Sequence, residues 1–351
     1  MSKPWVLVTG ASGFIGARLV RALVERGERV KAFVRAGSSL KMLEDLPYDR
    51  CRLAVGDITI SHTVYRALSE CDRMYHVASN FQMWNTRPER ILEPAIEGTR
   101  ATLEAARRRG LEKIVVTSSV GALGTTQAPE PMDEGHEFNL RDPETYVLSK
   151  YEAERVALEA ADDGLPVVVV LPAAVSGPGD WKPTPTGQGI VTYLKSSPAF
   201  RMPVPDGGLN IVDVDDVVDG HIRAMERGSI GERYILGGED LTFRQMFETL
   251  SDLTGLAPPG GTASGGLVQL IGRLMELRAR FGGRDPELTY RLARDYSTSY
   301  AWVTSERAEK ELGYSHRPAR ETLARAVRWY LEHGYVPDKA ARRVRLELRP
   351  T

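Results

Sequence analysis

Residues 5–16 constrain the chain more than any other segment. WVLVTG at 5–10 is an apolar, β-branched run that ends on a glycine, and ASGFIG follows at once. From Phe14 to Arg26 the apolar residues then recur with helical spacing. A buried strand that turns into a helix within a few residues is the opening of a β-α-β unit. The alternation continues with ERVKAFVR (28–35), a short helix near 39–46, CRLAVGD (51–57), a helix at 61–70 and RMYHVAS (73–79). A long helix near 89–109, KIVVTSS (113–119), a helix carrying YVLSK (146–150) and PVVVVLP (166–172) complete it. Strands alternating with helices predict an α/β fold with a parallel sheet covered on both faces. Their continuous Val/Ile/Leu runs suit strands buried on both sides.

Such a doubly wound, Rossmann-type sheet is expected over residues 1–175. LNIVDVDDVVDGH (209–221) and ERYILGG (232–238) read as returns to it, near 209–236. A smaller, mainly C-terminal substrate-binding lobe is expected from 176–208 and 237–330, with 331–351 as a basic tail, a solvated terminus or edge strand. SGPGDWKPTPTGQG (176–189) is a Pro/Gly-rich loop, and PPGGTASGG (258–266) is a joint before a helix. That helix carries Leu267, Leu270, Leu274 and Leu277 on one face, and no internal repeat is present.

A formal net charge of −1, from 46 basic and 47 acidic residues, gives no electrostatic case for nucleic acid as a partner. The two cysteines, Cys51 and Cys71, lie in no paired motif, so reduced thiols in the cytosol are expected. The first four residues run straight into a strand pattern, which predicts no secretory leader and a cytoplasmic protein. The apolar run at 165–175 is short and proline-broken, so no membrane span is expected. Six histidines without HExxH or paired spacing predict no metal site.

Gly10, Gly13 and Gly16 stand between the first strand and first helix. Glycines there permit the tight turn, the approach of backbone to a pyrophosphate and close helix–strand packing, while the helix N-terminus faces the anion. Ser12, Phe14 and Ile15 belong to the same loop. A dinucleotide binder that takes NAD usually carries an acid after the second strand, to hold the ribose 2′-hydroxyl. Here the strand ends Phe33-Val34-Arg35. An arginine can pair with a 2′-phosphate, so NADP(H) is favoured, with NAD(H) as the alternative and a plain surface charge as the bland reading. Asp57 and Ile58 end the third strand, where the carboxylate can meet the adenine amino group.

KIVVTSSVGALG (113–124) offers Ser118 and Ser119 at a strand's carboxyl end, where open parallel sheets keep their ligand crevice. Tyr146 and Lys150 are four apart and share a helix face. A fixed cation favours the phenolate over the phenol, whose ordinary pKa is about 10. Together with an oxidised nicotinamide, such a pair can exchange a proton near neutral pH, and Ser119 can hydrogen-bond a carbonyl as charge develops on it.

TGASGFIG, GDI, the stretch from Asp72 through His76-Val-Ala78, TSS, YVLSK and PAAVSGP occur in the order of the extended short-chain dehydrogenases/reductases, the NAD-dependent epimerase/dehydratase superfamily. The similarity covers roughly residues 4–330. Through KPTPTG (182–187), GLNIVDVDDVVDGH (208–221) and GERYILGGEDLT (231–242) the chain most resembles dihydroflavonol-4-reductase-like and hopanoid-associated sugar epimerase-like proteins. The resemblance implies Ser119, Tyr146 and Lys150 as the catalytic set, with Tyr146 and Lys150 also touching the cofactor. It implies that Pro172–Val175 meets the nicotinamide and that Ala78, Ser79 and Asn80 meet the cofactor's middle. It further implies a homodimer through the helices near 89–109 and 143–163, the first presenting Ile91, Ala95, Thr99 and Thr102. Packing of that stripe on the sheet is the plainer reading.

Two enzyme classes share this hydride site: carbonyl reductases or dehydrogenases, and nucleotide-sugar epimerases or dehydratases. Regulators that have lost the tyrosine form a third class, against which the intact set speaks. The nucleotide-sugar enzymes hold a diphosphate with R-x-x-N-V-x-G-P and R-D-F-x-H-V-D-D patterns. Alignment puts Leu171, Ala174 and Leu209 at three of those polar positions, which would leave a diphosphate poorly paired. SNFQMW (79–84) adds Phe81, Met83 and Trp84 beside the cofactor. An apolar ketone, aldehyde or secondary alcohol is therefore the expected substrate. The stripe Leu267, Ile271, Leu274 and Leu277 would then be an apolar lid over the cleft or, as readily, a core-packing face.

Overall fold

A computed structural model describes residues 3–79, 84, 85, 87–197, 201–282 and 285–345. Seven parallel strands form the main sheet: β1 (Trp5–Thr9), β2 (Arg29–Val34), β3 (Cys51–Val55), β4 (Cys71–His76), β5 (Lys113–Thr117), β6 (Val167–Pro172) and, later in the chain, β9 (Arg233–Leu236). Their order is β3-β2-β1-β4-β5-β6-β9. Chain direction across the sheet reverses between β1 and β4, which opens a crevice at their carboxyl ends. β1 and β6 are buried at every position, as their apolar runs predict for strands covered on both faces. Helices α1 (Phe14–Glu25) and α6 (Val214–Arg227) pack together, as do α2 (Ser61–Ala67), α3 (Glu89–Arg109) and α4 (Thr145–Asp162).

A second, smaller sheet contains β7 (Ala174–Ser176), β8 (Gly208–Asp213), β10 (Glu239–Thr242) and β11 (Tyr300–Ala301). The expectation that 209–221 returns to the main sheet is corrected here. An edge strand has one free side, and β9 occupies that of β6, from Val169 opposite Arg233 to Pro172 opposite Leu236. β8 instead pairs in parallel with β7, the continuation of β6, and antiparallel with β10. A separate core forms around α5 (Pro185–Lys195), α7 (Phe243–Thr254) and α10 (Ala319–Glu332), with Tyr193, Leu250, Leu323 and Tyr330 inside. Helices α8 (Gly265–Arg280) and α9 (Tyr290–Tyr296) make a hairpin with its own small core of Ala263, Val268 and Ala293.

One smaller expectation also changes. Residues 41–45 form successive turns and no helix, with Leu43 N bonded to Leu40 O and Leu46 N to Leu43 O. Pro47 biases Leu46 away from helical backbone. Residues 338–341 form a short helix, α11 (Asp338–Ala341), and the end of the basic tail, 346–351, lies outside the described residues. The stripe Ile91, Ala95, Thr99 and Thr102 is buried within the single chain. It is covered within the chain, where Thr99 meets His76 of β4, so a dimer through α3 and α4 would have to use their other faces.

The aspartates of VDVDD join the two lobes. Asp213 caps α6 by accepting from Asp215 N. Arg18 of α1 donates through Nε to Asp215 at 2.9 Å, and Arg325 of α10 pairs with both Asp213 and Asp215. Arg317 donates to Asp216 at 2.8 Å. Burial pushes the Asp213 carboxyl up to about 6, although Arg325 opposes the shift.

Candidate active site

The turn after β1 puts Gly10 at φ 67°, a backbone conformation that side chains disfavour. A Cβ there would lie 2.7 Å from the Ala78 Cα, so the loops after β1 and β4 touch backbone to backbone. A Cβ on Gly16 would collide with the Gly10 carbonyl oxygen. Gly13 is the exposed N-cap of α1 and offers no side-chain cap. The first-turn N–H groups of Phe14 and Ile15 therefore have no side chain competing for them, beside the half-buried Ser12. This cradle fits the pyrophosphate of a dinucleotide.

Arg35 is exposed beyond the end of β2, and its side chain has no hydrogen bond or ion pair among the described residues. Asp57 uses Oδ1 to accept from Thr59 N and Thr59 Oγ1, at 2.9 and 2.7 Å. Its Oδ2 has no hydrogen bond among the described residues. Ile58 leans on α3 where Gly98 leaves room, since a Cβ on Gly98 would be 2.7 Å from its Cδ1. Ser79 and Trp84 are half-buried, whereas Asn80, Phe81 and Met83 lie outside the described residues. Pro172 ends β6 and Val175 lies in β7, next to one another at the main sheet's carboxyl edge.

Ser119 is extended at φ −163° and leads into a single 3-10 turn, Val120–Ala122, that packs against α4. Its Oγ accepts from Gly121 N at 3.1 Å, which leaves the hydroxyl proton to be donated outward. α4 begins beside it, so Tyr146 and Lys150 fall on one face in the first turns of the helix. Lys150 is buried, and its Nζ donates to the Thr117 carbonyl oxygen at 2.9 Å. Burial lowers its pKa to about 8, while Glu154 one turn on works in the opposite direction. Burial pushes the half-buried Tyr146 phenol above its ordinary value. Burial thus governs the phenol in the cofactor-free chain, whereas the expected tuning of Tyr146 by Lys150 is tied to a bound oxidised nicotinamide. The lysine's charge is itself disfavoured, and a desolvated phenol keeps its proton.

Buried groups behind the set were not legible beforehand. His221 bonds to the Val217 carbonyl through Nδ1 at 2.7 Å, so Nε2 accepts the Thr117 hydroxyl at 2.8 Å. Burial lowers its pKa to about 4 and keeps it neutral beside Lys150. On the opposite side His76 links Thr9 and Thr99, at 2.9 and 3.3 Å, and burial takes its pKa to about 3. Glu144 caps α4 by accepting from Thr145 N at 3.1 Å, and its other oxygen accepts from Thr289 Oγ1, the N-cap of α9. α9 ends in the half-buried Tyr296, whose hydroxyl and the Ser119 Oγ lie 3.8 and 3.5 Å from the Cβ position of Gly121. Separations of 23 to 145 residues leave these hydrogen bonds without a local sequence signal.

Residues 6–237 match the family described as NAD dependent epimerase/dehydratase. Sterol demethylase protein B of Methylococcus capsulatus is 34% identical, with 94% of this chain and 99% of that protein covered. Dihydroflavonol 4-reductase of Callistephus chinensis is 31% identical over 70% of this chain and 71% of its own. Among solved structures, gox2253 superposes with a TM-score of 0.81 at 37% identity, covering 95% of this chain and all of that one.

Proposed function

The chain belongs to the NAD dependent epimerase/dehydratase family and is an NAD(P)-dependent extended short-chain dehydrogenase/reductase, and from that premise we propose that it interconverts a carbonyl and an alcohol on an apolar small molecule with NADP(H). The observation that supports the reading is that Ser119 leads from β5 into a turn packed against α4, whose first turns carry Tyr146 and Lys150, with Lys150 bonded to Thr117 O in β5. A bound nicotinamide supplies the hydride in reduction. Ser119, whose Oγ already accepts from Gly121, donates a hydrogen bond to the substrate carbonyl, keeping its own proton, and fixes the carbonyl's position. Tyr146 gives the carbonyl oxygen its proton as the hydride reaches carbon, and takes it back in oxidation. A buried phenol that keeps its proton suits the acid role. Lys150, held by Thr117 O, stabilises the phenolate that the transfer leaves. Arg35, unpaired among the described residues at the end of β2, is the proposed partner of the 2′-phosphate.

The apolar substrate is supported by three side chains. Leu171 is buried in the main core, and Ala174 and Leu209 pack against the second core. None can hold a diphosphate. Dihydroflavonol 4-reductase as the name of one relative and sterol demethylase protein B as that of another support a small, largely apolar molecule. Tyr146→Phe should lower turnover about 10²–10⁴-fold and retain cofactor binding. Near-wild-type activity in that variant would sink the mechanism. Lipophilic ketones and alcohols should turn over in a nicotinamide absorbance assay, and UDP- and dTDP-sugars should not be epimerised at C4. Efficient epimerisation would overturn the substrate class and leave the hydride site standing, with Lys182 or Arg201 then the candidates for the diphosphate.

A further inference from the structure

α8 turns its apolar face to solvent. Its inward side is made of small or short residues, Val268, Gly272 and Ala279, and a Cβ on Gly272 would lie 2.7 Å from the Thr289 carbonyl oxygen. The other side carries Leu270, Leu274 and Leu277, exposed by 53%, 57% and 52%, and just beyond it Phe281, exposed by 84%. Leu267 and Ile271 extend the same face at 46% and 39%. At 3.6 residues per turn this face spans about 120° of the helix. It presents roughly 600 Å² of apolar surface, at the upper limit for a protein that stays free in water. The core-packing reading of this stripe is thereby corrected, because the side that packs is the opposite one.

Charge distinguishes the occupants such a face could have. Arg278 falls within the stripe and Arg280 and Arg273 along its border. Arg278 and Arg280 have no ion pair or hydrogen bond among the described residues, and Arg273 lies over the Tyr290 ring at 4.2 Å. The helix's one acid, Glu276, accepts from Tyr290 N at 2.8 Å and offers the arginines nothing. A two-fold contact with a second copy would set these arginines against one another. An apolar face bordered by unpaired cations matches the boundary between anionic headgroups and acyl chains. No helix among the described residues is long and apolar enough to cross a membrane, so the helix would lie in the surface.

We propose that α8 seats the protein on an anionic bilayer surface. The helix adjoins the active site, because α9 packs on it, carries Tyr296 beside Ser119 and holds the Glu144 cap of α4 through Thr289. Delivery of a bilayer-dissolved substrate to that site follows only if the apolar-substrate reading holds. Docking does not need it, and is measured without substrate.

The test is co-sedimentation of the full chain with vesicles of phosphatidylcholine alone and with about one third phosphatidylglycerol. Wild type should bind the anionic vesicles and lose several-fold of that binding between about 0.1 and 0.5 M salt. Leu270→Glu with Leu274→Glu should reduce binding at least about tenfold, since each leucine removes apolar surface from water. Arg278→Glu with Arg280→Glu should abolish the preference for anionic vesicles. All four side chains are exposed, so the thermal midpoint should hold in both variants. Absence of wild-type binding to either vesicle overturns the proposal, as does equal binding by the leucine variant. A dimer in free solution that the leucine variant dissociates, without vesicle binding, would assign the face to a second copy and also overturn it.

Discussion

Replacing Lys150 with methionine should make the cofactor-free protein more stable while it disables turnover. The ammonium is buried, and desolvation lowers its pKa from 10.5 to about 8. At 1.36 kcal/mol per pKa unit, the buried charge costs about 3 kcal/mol at pH 7. Methionine fills a similar volume without charge. It leaves the Thr117 carbonyl without the donor it has at 2.9 Å, at a cost of about 1–2 kcal/mol. Lys150→Met should therefore gain about 1–2 kcal/mol at pH 7 in urea denaturation followed by circular dichroism. The pH dependence fixes the cause. Because the folded pKa lies below the unfolded one, between about pH 8 and 10.5 the unfolded wild type holds a proton that the folded protein has released. Wild-type stability thus gains on the variant as pH rises through that window, and by pH 10 the variant's advantage should be gone. Other titrating groups are common to both proteins and cancel in the difference. A variant less stable than wild type at pH 7, or a difference constant from pH 7 to 10, would refute the assignment of a costly buried charge.

Arg35→Asp should raise the dissociation constant for NADPH at least about tenfold, because attraction to the 2′-phosphate becomes repulsion, and should change NADH binding far less. Fluorescence titrations giving unchanged constants for both cofactors would reject the role of Arg35. Gly10→Ala should destabilise by about 2–5 kcal/mol, from the cost of φ 67° and a Cβ 2.7 Å from the Ala78 Cα. A wild-type urea midpoint would show that the two loops can separate freely. A homodimer through the outer faces of α3 and α4 is expected at micromolar concentration. Sedimentation equilibrium giving a monomer rules it out.

Much of this architecture follows from features that are local in the chain. Alternating apolar strands and amphipathic helices read directly as β1 to β6 with their helices, because each period is set within one element. The Gly10 turn and the Tyr146–Lys150 face are legible for the same reason: three glycines after a strand, and a four-residue spacing on a helix. Which edge a strand joins is not local. β8 and β9 have similar apolar runs, yet one free edge beside β6 admitted only β9, and β8 went to the second sheet. The site's inner support was hidden likewise. Thr117 and His221 are 104 residues apart, and Glu144 and Thr289 are 145 apart. The face of α8 shows the limit most clearly. Its periodicity announces an apolar stripe without saying what the stripe meets, and only the close approach of α9 to Gly272 decides which side of the helix is covered. Electrostatics follows the same division. A tyrosine beside a lysine suggests a lowered phenol pKa, but in the cofactor-free chain burial acts on both groups, and burial depends on every element packed around them rather than on local sequence.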